Sequence, residues 1–239
     1  PKALGWSRWI PLKVREKLAS VAERLPRHMK GRNYLIRAAR PLSDRYIGNA
    51  YIFTAEERKR LLKRRKDGLE PKDLLKKEYD KMRGLPDSDQ MQALDLVYWL
   101  PGDILLKADK MSMAHSLEVR VPFLDKDVFE VARRIPHSLK TKKYTTKYVL
   151  RKVADEYLPE QVAKKKKLGF PIPIRNWFKE EDWYQQIKTA FTGETAAKYF
   201  HTKGLVRLLE EHRSGREDNS RKIWTVYAFL VWHQVFFEA

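Results

Sequence analysis

The sequence contains no cysteine. Without Cys, the 239-residue chain cannot form a disulfide, bind zinc through thiolates or use a thiol nucleophile. Its six histidines are scattered without the spacing of a metal site. Disulfide scaffolds, Cys-ligated zinc modules and thiol catalysis are therefore excluded for these residues, and we expect no metal ligand in this chain.

Long apolar runs, strand-like alternation and a leader pattern are also missing. No stretch approaches the ~18 apolar residues typical of a membrane span. The N-terminal PKALGWSRWI shows neither a signal-peptide pattern nor an initiator Met. Alternating apolar and polar residues, typical of half-buried strands, are almost absent. We therefore expect a cytoplasmic, all-α chain that does not enter a membrane and that can be a piece of a longer protein.

The chain has an excess of positive charge. Fifty Lys and Arg against 31 Asp and Glu give a formal net charge of +19, which favours a polyanionic partner such as nucleic acid, anionic lipid or a nucleotide phosphate. The basic segment from Lys59 to Lys66 has no interleaved aromatic residues for base stacking. The run from Lys164 to Lys167 is typical of a solvated loop. A nucleic-acid interface is therefore disfavoured but kept as an alternative.

Helical signals fill most of the chain. Thr54 and Glu57 have capping-box spacing at the start of a helix that is predicted to run to Gly68. A further helix, over 87–100, is predicted to close at Pro101-Gly102. Apolar residues at three- and four-residue steps predict other helices over 12–25, 205–212 and 223–237.

The stretch LEVRVPFLDKD, beginning at residue 117, combines charge with an apolar cluster. Pro122 disfavours a helical conformation at the residue before it, so we expect the chain to bend there. Asp125 is predicted to cap the following helix. If the apolar neighbours of Glu118 and Arg120 are buried, the two charges lose solvent and must pair. The residues favour a structural ion pair, and a ligand-facing role stays open.

A second polar stretch is TKKYTTKYVLRK, over 141–152. A helix is predicted to open at Thr145 or Thr146, which puts Lys147 in its first turn. Free backbone N–H groups and the positive end of the helix dipole favour an anion there, and Arg151 follows one turn later on the same face. Lys147 is therefore the phosphate-binding candidate, while composition alone favours an ordinary surface lysine.

Two long stretches, in this order, resemble the synthetase domain of glutamine-hydrolysing asparagine synthetases. They are LPGDILLKADKMSMAHSLEVRVPFLDKDVFEVARRIP, from residue 100, and TTKYVLRKVADEYLPEQVAKKKKLGFPIPIRNWF, from residue 145. The resemblance implies the C-terminal helical portion of an α/β adenine-nucleotide α-hydrolase-like (PP-loop) domain. Residues 1–86 would be a weakly matched helical segment and 87–239 the matched part, within one domain.

The resemblance also implies a ligase. In this family the aspartate side-chain carboxylate is adenylated by ATP with Mg²⁺, pyrophosphate leaves, and ammonia from glutamine attacks the acyl adenylate. Lys147 matches the family lysine that lies against the phosphates. The wall of the pocket is assigned to Glu118, Arg120, Asp109, Lys110 and Arg151. Aspartate, glutamine-derived ammonia and ATP are the implied ligands, and a homodimer stays open.

Several family features do not occur in this sequence. The family's glutaminase domain uses an N-terminal Cys, and its nucleotide-binding sheet carries an SGGxDS pyrophosphate loop and a GEGxDE segment. We therefore interpret the chain as a fragment that lacks the glutaminase domain and the nucleotide-binding sheet, and we expect it to be inactive alone. A related amidotransferase acting on another carboxylate and a basic helical nucleic-acid-binding module are the alternatives.

Overall fold

A computed structural model describes residues 9–25, 29–39, 41–48, 51–63, 70–142, 145–166, 169 and 172–238. The chain is predominantly helical, as predicted, and its described residues include two short antiparallel strands. It divides into two compact units, the first formed by residues 1–106 and 173–239 and the second by residues 107–172. Within the described ranges, no helix is both long and apolar enough to cross a membrane.

The first unit begins with six helices in the described part of the chain. They are α1 (Leu12–Arg24), α2 (Arg32–Ala39), α3 (Leu42–Arg45), α4 (Ala55–Leu61), α5 (Pro71–Lys81) and α6 (Asp87–Leu94). The predicted capping box opens α4: the Thr54 N–H donates to Glu57 Oε2 over 2.7 Å, and the Glu57 N–H donates to Thr54 Oγ1 over 3.2 Å. These bonds satisfy N–H groups that the first turn of a helix leaves free.

The end of α4 differs from the prediction. The helix ends at Leu61 and not at Gly68, because Leu62 is extended and forms an antiparallel bridge with Phe200. Residues 64–69, which include the end of the predicted helix and part of the basic segment from Lys59 to Lys66, lie outside the described residues.

The predicted helix stop at Pro101-Gly102 is wrong. Helix α6 continues as a π-helix over Asp95–Leu105 and then as α7 (Leu106–Met113). In an α-helix Pro101 would clash with the carbonyl four residues earlier, and the wider turn of a π-helix avoids that geometry. The indole N–H of Trp99 also donates to Asp103 Oδ2 over 2.9 Å, which links successive turns across the proline.

The second unit continues from α7 through short elements. They are a 3₁₀ turn (Pro122–Leu124), α8 (Lys126–Arg134), α9 (His137–Lys140), β1 (Thr141–Lys142), β2 (Thr145–Thr146), α10 (Tyr148–Tyr157) and α11 (Glu160–Ala163). β1 and β2 are antiparallel, with Thr141 opposite Thr146. The predicted helix start at Thr145 or Thr146 is therefore wrong, since both residues are paired in β2. Among the described residues of this unit, Ala163 alone is buried.

The first unit resumes with the helices that hold its main core. They are α12 (Ile174–Trp177), α13 (Glu181–Thr192), α14 (Glu194–Tyr199), α15 (Thr202–Arg213) and α16 (Ser220–Phe237), so the helices predicted over 205–212 and 223–237 are confirmed. The core consists of Leu61, Phe178, Tyr184, Ile187, Phe191, Ala196, Phe200, Leu205, Leu209, Ile223, Val226, Tyr227 and Leu230. The buried Lys222 ammonium lies 2.7 Å from Glu57 Oε1, which pairs α16 with α4.

Candidate active site

The predicted site segments all lie in the second unit. Asp109 and Lys110 are exposed on α7. This helix ends in a Schellman motif, in which the Leu117 N–H donates to the Ser112 carbonyl over 2.9 Å and the Ser116 N–H donates to the Met113 carbonyl over 3.0 Å. The motif ends α7 immediately before LEVRVPFLD, and this turn was not foreseen from the sequence.

Glu118 and Arg120 form the predicted ion pair. Arg120 Nη2 lies 2.5 Å from Glu118 Oε1, because side chains two positions apart in an extended segment point to the same side. Their side chains are 69% and 84% exposed, respectively, so the condition under which the two charges would lose solvent is not met. An exposed pair of this kind contributes only about 0–1 kcal/mol.

The ion pair is exposed because the apolar side chains around it are not buried. The apolar neighbours on which the expectation depended are themselves exposed, namely Leu117, Val119, Val121 and Phe123. With a single buried alanine among its described residues, the second unit has no core that could cover them. The local pairing was therefore predictable from the sequence, and its environment was not.

The bend and the helix cap that follow are confirmed. Pro122 starts the 3₁₀ turn, and the residue before it is non-helical, with φ −124° and ψ 76°. The Asp127 N–H donates to Asp125 Oδ1 over 2.8 Å, so Asp125 caps α8. Within α8 the Glu130 carboxylate accepts a hydrogen bond from Arg133 over 2.6 Å, which lowers the pKa of Glu130 and raises that of Arg133.

Lys147 lies at the N-cap of α10, one residue before the first helical turn. Its backbone is left-handed, with φ 56° and ψ 38°, a conformation that residues with a side chain seldom adopt. The side chain is exposed, and in the described part of the chain its amine takes part in no hydrogen bond or ion pair. An exposed amine at the start of a ten-residue helix is compatible with an anionic ligand.

Arg151 forms hydrogen bonds with two residues that precede it in the chain. Its Nε–H donates to the Thr146 carbonyl over 3.3 Å, and its backbone N–H donates to the Lys147 carbonyl over 2.9 Å. No hydrogen bond or ion pair between described residues joins Lys147 to the Glu118–Arg120 pair. Nor do these ranges contain a group of three or more His, Asp or Glu that could bind a metal ion.

Comparison with known proteins identifies the family of these segments. Residues 4–234 match the sequence model of the Asparagine synthase family. The chain belongs to the asparagine synthase family. The match also extends over most of the N-terminal 86 residues, where motifs carried little of the resemblance.

Relatives of this chain are named as glutamine-hydrolysing asparagine synthetases. Asparagine synthetase [glutamine-hydrolyzing] 1 of Bacillus subtilis is 48% identical over 228 residues, which are 95% of this chain and 36% of the relative. A putative asparagine synthetase [glutamine-hydrolyzing] of Mycobacterium bovis is 37% identical over 230 residues, 96% of this chain and 35% of the relative. The chain thus spans about a third of the length of these relatives. No solved structure shows a significant match to it.

Proposed function

We propose that this chain is the C-terminal helical part of a longer, ATP-dependent asparagine synthetase. The observation that carries the proposal is the 48% identity to a named asparagine synthetase over 95% of this chain. In the proposed reaction the side-chain carboxylate of aspartate attacks the α-phosphate of ATP and pyrophosphate leaves. Ammonia released from glutamine then attacks the acyl adenylate to give asparagine and AMP.

In this proposal Lys147 stabilises the charge on the phosphates and the leaving pyrophosphate. Its amine has no competing partner in the described ranges, and the helix that follows adds free N–H groups at the same place. A fixed cation is most effective where negative charge increases in the transition state. The exposed residues Glu118, Arg120, Asp109 and Lys110 and the partly buried Arg151 would then form part of the pocket wall.

The remaining machinery belongs to the parts of the proposed enzyme that this sequence does not include. The chain has no Cys for the glutaminase step and none of the family's pyrophosphate-loop sequence. Because the described residues offer no cluster for a metal ion, we assign no residue of this chain to Mg²⁺. The proposed partners are a glutaminase domain and a PP-loop nucleotide-binding sheet, and we expect the 239-residue chain alone to form no asparagine.

The proposal is tested by substituting Lys147 in the longer enzyme. Pyrophosphate release with ATP and aspartate should fall about 10²–10³-fold in Lys147→Ala, the loss typical of one electrostatic group at a reacting centre. Lys152→Ala, which removes an exposed lysine from the same helix, should stay within about twofold of the unsubstituted enzyme because a screened surface charge contributes little.

Two results would count against the proposal. One is a Lys147→Ala enzyme as active as the Lys152→Ala control. The other is ATP-dependent formation of asparagine by the purified 239-residue chain, which would mean that the missing motifs are dispensable.

A further inference from the structure

The backbone of Lys147 has to be held in its conformation. Its φ of 56° is free of strain for glycine, but in any other residue it brings Cβ close to the carbonyl oxygen. Among the described non-glycine residues, Ser116 is the other one with a positive φ. Strained residues of this kind persist where their surroundings fix them, so the neighbours of Lys147 should contain the fixing contacts.

Arg151 contacts both peptide groups that flank Lys147. The peptide group before Lys147 contains the Thr146 carbonyl, which accepts from the Arg151 Nε–H over 3.3 Å. The peptide group after it contains the Lys147 carbonyl, which accepts from the Arg151 backbone N–H over 2.9 Å. The second bond is the ordinary i→i−4 bond of α10, which any residue other than proline would form at position 151. The arginine side chain itself therefore restrains the peptide group before Lys147, whose rotation about the N–Cα bond is the φ angle of Lys147.

We propose that Arg151 is a positioning residue, which keeps Lys147 left-handed and so fixes the direction in which the lysine side chain leaves the start of α10. The inference rests on the proposed function only for its catalytic consequence. The contact that does the positioning is the Nε–H of the guanidinium and not its charge. A lysine at position 151 would keep the charge and lose that N–H, because the guanidinium fork and the ammonium present different donors.

The conformation of Lys147 can be measured without any activity. A positive φ brings the amide proton and the α-proton of the same residue close together, so Lys147 should give a strong intraresidue NOE in the isotope-labelled 239-residue chain. We expect this NOE to weaken to the level of ordinary helical residues in both Arg151→Lys and Arg151→Met. It should persist in Lys152→Met, which removes the neighbouring charge on α10. An unchanged NOE in both Arg151 variants would overturn the proposal.

The same variants separate positioning from charge in the longer enzyme. A misplaced lysine should reduce kcat by at least about tenfold and leave the KM for ATP nearly unchanged, equally in Arg151→Lys and Arg151→Met. Full activity in Arg151→Lys beside a loss in Arg151→Met would overturn the positioning role in favour of a charge at the pocket wall. If Lys147→Ala proves harmless, the proposed function fails, and the NOE measurement still decides the role of Arg151.

Discussion

His212 is a buried imidazole in the core of the first unit, with no exposed side-chain surface. Its Nε2–H donates to the Arg175 carbonyl over 3.0 Å, and its Nδ1 lies 3.7 Å from Asp218 Oδ1. Burial lowers the pKa of His212 from its ordinary value of 6.5, and this effect exceeds the opposing attraction of Asp218. The folded chain therefore takes up a proton on His212 less readily than the unfolded chain.

The free energy of unfolding of the chain should consequently depend on pH near 6.5, the ordinary pKa of His212. Below the unfolded pKa of 6.5 the unfolded state binds more protons, so the free energy of unfolding falls as the pH drops toward the lowered pKa of the folded state. Above 6.5 the contribution of His212 is complete. Guanidinium denaturation between about pH 5 and about pH 8 should show this slope.

A glutamine at position 212 isolates the histidine. His212→Gln can present an amide N–H to the same carbonyl and does not titrate, so the slope should flatten. His201→Gln, at an exposed histidine, should leave the slope intact. A slope that persists in His212→Gln would assign it to other groups.

Among the single elements, helix α7 ends in a motif that contains a residue whose backbone conformation is strained. Ser116 occupies the left-handed position of a Schellman motif, with φ 55°, where glycine is the usual residue. We expect Ser116→Gly to stabilise the second unit by about 0.5–1 kcal/mol. The same substitution in the interior of α7, Ser112→Gly, should destabilise it by roughly 0.5 kcal/mol. Denaturant midpoints of the two variants should therefore move in opposite directions, and a shift of both to lower denaturant would contradict the strain at Ser116.

The elements also show which features could be predicted from the sequence. The capping box at Thr54 and the cap at Asp125 were correct because each depends on residues within one helical turn. The stop at Pro101 was wrong because proline excludes the α-helical geometry and not the π-helical one. The hairpin before Lys147 was missed because strands of two residues are too short to show an alternating pattern.

For the whole molecule, family membership could be predicted and burial could not. The segments around Glu118 and Lys147 match the family in the identity and order of their residues, and recognising that match requires no knowledge of packing. The solvent environment of the same residues depends on what surrounds them, and here the large apolar side chains of LEVRVPFLD are exposed. An exposed apolar surface of this kind typically marks contact with another part of a protein.

The exposed apolar surface of LEVRVPFLD should distinguish the 239-residue chain from the proposed longer enzyme. Phe123 is 71% exposed, so Phe123→Ala should change the stability of the 239-residue chain by no more than about 0.5 kcal/mol. In the longer enzyme, where we expect the surface to be covered, the same substitution should cost about 3–5 kcal/mol. Lys152→Ala should have little effect in either protein. Denaturation of both substitutions in both proteins measures these effects. An equally small effect of Phe123→Ala in the two proteins would mean that this surface stays exposed in the complete enzyme.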